Sequence, residues 1–116
     1  MTYKDLTVWQ RADTLALAVY GATKRFPKDE VYGITSQLRR AALSVPTNIV
    51  EGYARKGDKE LARFVGFAIG SLAETEYLLS FAQRLGYLSD KDYCSLEAIR
   101  SEVGKLLWKF YKVVSK

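Results

Sequence analysis

Histidine is missing from this chain, cysteine occurs once and proline twice. No histidine means neither the commonest general base nor the commonest metal ligand is available. The single Cys94 cannot close an intramolecular disulfide, which fits a reducing cytoplasm. Without a histidine beside it, that thiol is poor material for a nucleophile, and a free cysteine ordinarily serves as a small apolar filler. No apolar run approaches the roughly 20 residues of a membrane span. The N-terminus, MTYKDLTVWQ, carries charge and has no apolar core of a signal peptide. P-loop, dinucleotide-binding and zinc-binding spacings are all absent. These absences lead us to expect a cytoplasmic protein with no membrane partner, cofactor, metal or catalytic residues.

What is present is helix. The 116 residues suit a single domain, 1–116, and 48% of them are apolar, enough for a packed core. Four amphipathic segments follow one another, separated by short breakers. The first runs from about Val8 to Phe26, with Trp9, Ala12, Ala16, Val19, Thr23 and Phe26 on one face. Asp5 or Thr7 is placed to cap it and Pro27 to end it. The second runs from about Asp29 to Arg55, and the third from Lys59 to Leu85, with Asp58 as its N-cap and Gly86 as its stop. The fourth opens on Ser89-Asp90-Lys91-Asp92, which resembles a capping box. Its apolar positions are Leu96, Ile99, Val103, Leu106, Phe110 and Val113. The pattern predicts an all-α fold, an antiparallel up-and-down four-helix bundle. Pro46 falls inside the second helical pattern, which continues unchanged to Ile49 and Tyr53. That predicts one kinked helix, with Ser44 or Thr47 serving the carbonyl of Ala42 that proline leaves unbonded.

The third segment has two apolar strips. Leu61, Val65, Ala68, Leu72, Thr75, Leu79 and Ala82 form a heptad-like seam. Phe67, Gly70, Tyr77, Leu78, Phe81 and Leu85 cluster roughly opposite it. A helix apolar on two sides is buried on two sides. In so short a chain the second side suits another copy, with Gly66 and Gly70 allowing close approach. The alternative is that the bundle's own aromatic side chains wrap it. We expect self-association, with Phe67, Gly70, Tyr77, Leu78 and Phe81 at the interface.

Polar residues carry two further signals. Gln37, Arg40, Ser44, Asn48, Glu51 and Arg55 make a continuous stripe along the second helix, read either as a solvated flank or as a network fixing helix register. The network reading takes Arg40, Ser44, Asn48 and Glu51, with Glu74 or Glu76 joining through Arg40 or Arg55. A catalytic or metal site at Glu51 and Glu74 would lack the Glu-x-x-His motif of bundle metal centres. Lys105, Lys109, Lys112 and Lys116 form a stripe on the last turns. They either complement the helix dipole or contact phosphates. The net charge of +5 and pI near 9.4 favour an anionic partner.

The strings RRAALSVPTNIVEGYAR, KELARFVGFAIGSLAETEYLL and LGYLSDKDY resemble a small bacterial four-helix-bundle family. It is known as the 23S rRNA intervening-sequence protein family, or S23 ribosomal protein-like. The matching positions are Arg40, Ser44, Asn48, Ile49, Glu51, Gly52, Arg55, Gly70, Ser71 and Glu74. Val50 stands where alanine is common, a minor departure. The resemblance implies a bundle assembled as a cyclic oligomer, typically a pentamer. It also implies relatedness to the accessory protein of diversity-generating retroelements, a basic pentameric barrel that binds nucleic acid and a reverse transcriptase.

The expected function is therefore a non-enzymatic homo-oligomer binding RNA or DNA. Arg39, Arg55, Lys56, Lys59, Arg63, Lys105, Lys109 and Lys112 are the candidate phosphate contacts, and Tyr53 is either a base-stacking residue or part of the core. The alternative is a ring that docks a partner protein, such as an enzyme acting on nucleic acid.

Overall fold

A computed structural model describes all 116 residues. Four helices follow in order: α1 Thr7–Thr23, α2 Ile34–Ala54, α3 Asp58–Arg84 and α4 Asp90–Val114, with single 3-10 turns at Tyr3–Asp5 and Lys28–Glu30. Each helix packs against its neighbours in the chain, and α1 closes the square against α4, while the diagonal pairs stay apart. This is the antiparallel four-helix bundle that the periodicity predicts.

The helix ends differ from expectation in informative ways. Asp5 does not cap α1. With Thr2 it forms a capping box on the preceding 3-10 turn, and Leu6, at the cap position of α1, offers no side-chain cap. The 3-10 turn at Lys28–Glu30 and the following Val31-Tyr32-Gly33 delay α2 to Ile34. Gly57, at φ +91°, occupies the cap position of α3, which puts Asp58 inside the helix. Positive φ strains any residue with a Cβ, so glycine suits this three-residue link. Ser89 caps α4 as expected, accepting from the Asp92 N–H at 3.0 Å.

α2 runs unbroken through Pro46, one helix as expected. Neither neighbour serves the Ala42 carbonyl, however. The Thr47 hydroxyl donates to Leu43 at 2.8 Å, and the Ser44 hydroxyl is engaged elsewhere. Near its C-terminus α2 presses closely on α3. A Cβ added at Gly52 would lie 2.8 Å from Cβ of Phe64 and 3.2 Å from a Leu61 methyl, so only glycine fits without a shift.

The core holds Leu15, Val19, Leu38, Val45, Ile49, Val65, Leu79, Val103 and Leu107, all fully buried. From Val65 to Ala82 the predicted inner seam of α3 is buried throughout, and Leu61 is half-buried. Leu78 departs from its assignment: it is only 6% exposed and belongs to the core, not to the outer strip. Residue 78 lies one turn from both Thr75 and Ala82, on the flank of the seam that faces α2. The stripe of α4 also drifts. Leu96, Val103, Leu107 and Val114 are buried, whereas Val113 is 64% exposed. The span from 96 to 114 is five turns at 3.6 residues, so the buried line follows the straight-helix period and leaves the heptad. Cys94 is exposed on the second turn of α4, not a filler.

Candidate nucleic-acid interface

Up-and-down topology decides which basic residues meet. The α2–α3 link and the end of α4 fall at the same end of the bundle. There Lys59 and Arg63 of α3 share a cleft of about 520 Å³ with Tyr111 of α4 and with Ser115 and Lys116 just beyond it. Two basic clusters, separate in sequence, thus become one surface. Dividing each helix at its middle makes the asymmetry explicit. Residues 1–14, 45–70 and 103–116 carry ten Lys and Arg against five Asp and Glu. The remaining residues carry eight against eight. The entire net charge of +5 resides in one half of the molecule.

Within that half, arginine and lysine differ. Arg55 pairs with Glu51 at 3.0 Å and lies 4.9 Å above the Phe64 ring. Arg63 pairs with Glu60 at 3.3 Å and stacks over Phe64 and Phe67. Lys56, Lys59, Lys105, Lys109 and Lys112 are exposed and make no ion pair. Across the chain, every arginine except Arg40 donates at least one side-chain hydrogen bond, and no lysine ammonium does. The planar guanidinium suits fixed, forked bonding, while the ammonium is a hydrated charge on a flexible stem.

Arg39, expected among the phosphate contacts, does not belong there. It is half-buried; its Nε donates to the Thr23 hydroxyl at 2.7 Å, and its guanidinium sits 4.8 Å above the Tyr20 ring. It fastens α2 to the end of α1, at the opposite end from the basic cleft.

The polar network is smaller than the stripe. Ser71 of α3 donates to the Ser44 hydroxyl of α2 at 2.9 Å, and Asn48 donates to the Ser44 hydroxyl and carbonyl at 2.9 and 2.8 Å. That chain joins α2 to α3. Arg40 and Glu74 lie outside it: both are exposed and unpaired, facing a shallow cleft of about 360 Å³ with Gln37 and Ala41. Glu51 is taken up by Arg55. Glu76 turns to α4, where Arg100 meets it at 3.3 Å and Glu97 at 2.8 Å. The bond to Glu97 leads the influences that raise the Arg100 pKa above its ordinary value. This triad escaped the sequence reading, although Glu97 and Arg100 stand at i, i+3 spacing.

The outer strip of α3 stays open. Phe67, Gly70, Tyr77 and Phe81 are exposed, and a Cβ at Gly66 or Gly70 would meet nothing within 4 Å. No three His, Cys, Asp or Glu side chains gather in a cluster suited to a metal, and no helix is long and apolar enough to cross a membrane. Tyr53 is half-buried.

Fold and charge together define a small all-α bundle with one basic end and an exposed aromatic helix face. The model of the 23S rRNA-intervening sequence protein family matches residues 4–109, and the chain belongs to that family. It is also similar to a crystal structure from Bacteroides thetaiotaomicron, described as a protein with unknown function from the S23 ribosomal protein family. The TM-score is 0.86 at 24% identity, over 94% of this chain and 98% of that one, a likeness of fold. No curated protein matches the sequence.

Proposed function

We propose that the protein is a non-enzymatic, homo-oligomeric module that binds RNA or DNA through its basic end. The concentration of the whole net charge on the half bearing seven unpaired lysines carries this reading. Unpaired exposed lysines supply phosphate contacts without first breaking a bond within the protein. Arg55 and Arg63 add charge while staying anchored to Phe64. The family's name supports rRNA as the first ligand to try.

Self-association proceeds through the outer strip of α3, where Phe67, Tyr77 and Phe81 flank the open Gly70. Resemblance to the family supports a ring, typically of five copies. A ring repeats the basic end around an axis and turns a modest charge per chain into a strong local field.

The test is fluorescence anisotropy with a structured rRNA fragment and a DNA duplex of equal length, across a salt series, on material whose mass is set by light scattering. We expect sub-micromolar binding that falls by orders of magnitude between about 50 and 200 mM salt. No binding at the lowest salt would overturn the nucleic-acid reading and favour a ring that docks a protein.

A further inference from the structure

Trp108 is 53% exposed on the outer side of α4. Tryptophan is usually well buried, and this one leaves an indole half in water between exposed lysines and a groove lined partly by Ile69 and Leu72. It is not loose. Its ring stacks on Tyr111 with centroids 5.6 Å apart and planes 17° from parallel. Lys105 stands three residues before it and Lys112 four after, both one turn away on the same face, exposed and unpaired.

The two rings also link two openings between α3 and α4. Trp108 borders a groove of about 200 Å³ beside Gly104 and Ala73. Tyr111 borders the basic cleft that holds Lys59 and Arg63. A stacked pair of aromatic planes, flanked by cations, thus lies along one track that leads into the basic end.

From this juxtaposition we infer that the α3–α4 groove holds a single strand of nucleic acid, a base stacking on Trp108 and the flanking phosphates lying against Lys105 and Lys112. The inference rests on the nucleic-acid reading above and names its ligand form. A duplex hides the faces of its bases within its own stack, so it can use the lysines but not the indole. An unpaired base offers a free face, and stacking on an aromatic ring tolerates every base. Two acids border the track: Glu76 is held by Arg100 at 3.3 Å, and Asp58 is exposed beside Lys59 in the basic cleft.

Trp9 and Trp108 are the only tryptophans, so Trp9→Phe leaves Trp108 as the sole indole reporter. That variant is titrated with an unstructured 15-nucleotide RNA, the same sequence as DNA, and the corresponding duplex. Both single strands are expected to quench the indole emission, and the duplex is not. In the otherwise native chain, Trp108→Leu is expected to weaken single-strand binding by about tenfold or more. It should change duplex binding less than twofold. Trp108→Phe, which keeps a ring, should fall between, and thermal unfolding of both variants checks the fold. Equal weakening of strand and duplex, or no weakening of either, would overturn this inference while leaving phosphate binding in place. If the unmodified protein binds neither form at about 50 mM salt, the nucleic-acid reading itself falls.

Discussion

Where α1 ends and α4 begins, Arg25 meets Asp92 at 2.9 Å, Tyr87 donates to Glu30 at 2.9 Å and Gln83 donates to Asp90 at 3.0 Å. Each of these contacts joins elements distant or distinct in sequence, and acid there balances base. In the opposite half Glu51 with Arg55 and Glu60 with Arg63 are local pairs three or four residues apart, and one pair, Arg11 of α1 with Glu102 of α4 at 2.8 Å, crosses between helices near the middle of the bundle. The lysines around them meet no acid. One end uses charge to hold the bundle together. The other is held mainly by apolar packing, with Gly52 letting α2 and α3 approach, and leaves its lysines to the solvent. Charge that does not serve the fold is what a partner can use.

The largest effect should come from removing that surplus. Replacing Lys105, Lys109 and Lys112 together by glutamine should weaken nucleic-acid binding about thirtyfold at low salt. The salt slope should flatten by about 0.9 for each duplex phosphate that the variant no longer neutralises. The matching triple change at Lys24, Lys28 and Lys91 should alter affinity less than twofold. Equal losses in the two triples would show that total charge matters and its placement does not.

A smaller effect tests how the basic end is held. Gly52→Ala pushes a methyl against Phe64 and Leu61, and should cost about 1–2 kcal/mol of stability, read as a drop of several degrees in Tm. An unchanged Tm would mean that α2 and α3 separate there easily, and that packing is not what secures this end.

The smallest effect lies at the balanced end and depends on pH. The hydrogen bond to Glu30 raises the Tyr87 pKa above its ordinary value of 10.0, with burial adding to it. The native state therefore retains the phenol proton that the unfolded chain gives up first. The stabilising contribution is complete below pH 10.0 and is lost as pH rises through the native-state pKa. Wild type should melt slightly above Tyr87→Phe at pH 8, and the gap should close toward pH 11. A gap constant with pH would show that the donated bond contributes nothing.

Much of this was legible in the sequence because helical periodicity reports directly on burial. The inner seam of α3 and the capping serine of α4 were readable residue by residue. Leu107 and Val114 were not, because a heptad and a 3.6-residue repeat diverge over several turns and only the packed neighbours choose between them; Leu78 was not, because it lies on the seam's flank, where the contact with α2 decides burial. The basic residues were visible as two separate stripes. That they form one end follows from topology, which places the start of α3 beside the end of α4. Arg39 and Arg40 show the limit most plainly. They are adjacent and chemically identical, yet Arg39 reaches Thr23 and the Tyr20 ring while Arg40 reaches nothing. A 100° rotation about the helix axis separates a fastener from a free cation, and the sequence reading had their roles reversed. Trp108 lies off the apolar stripe of α4, and sequence alone does not show that Tyr111 stacks on it or that a groove opens beside it.

The division between arginine and lysine has a kinetic consequence. A guanidinium clamped in two-point contact specifies one orientation of what it holds. A row of ammonium groups on four-carbon stems specifies almost none, because each can swing to the next phosphate as the last one leaves. On the proposed function, a polyanion held by Lys105, Lys109 and Lys112 would shift along the surface in small steps without full release. Register on such a surface would then fall to whatever stacks on Trp108 and Tyr111 beside it.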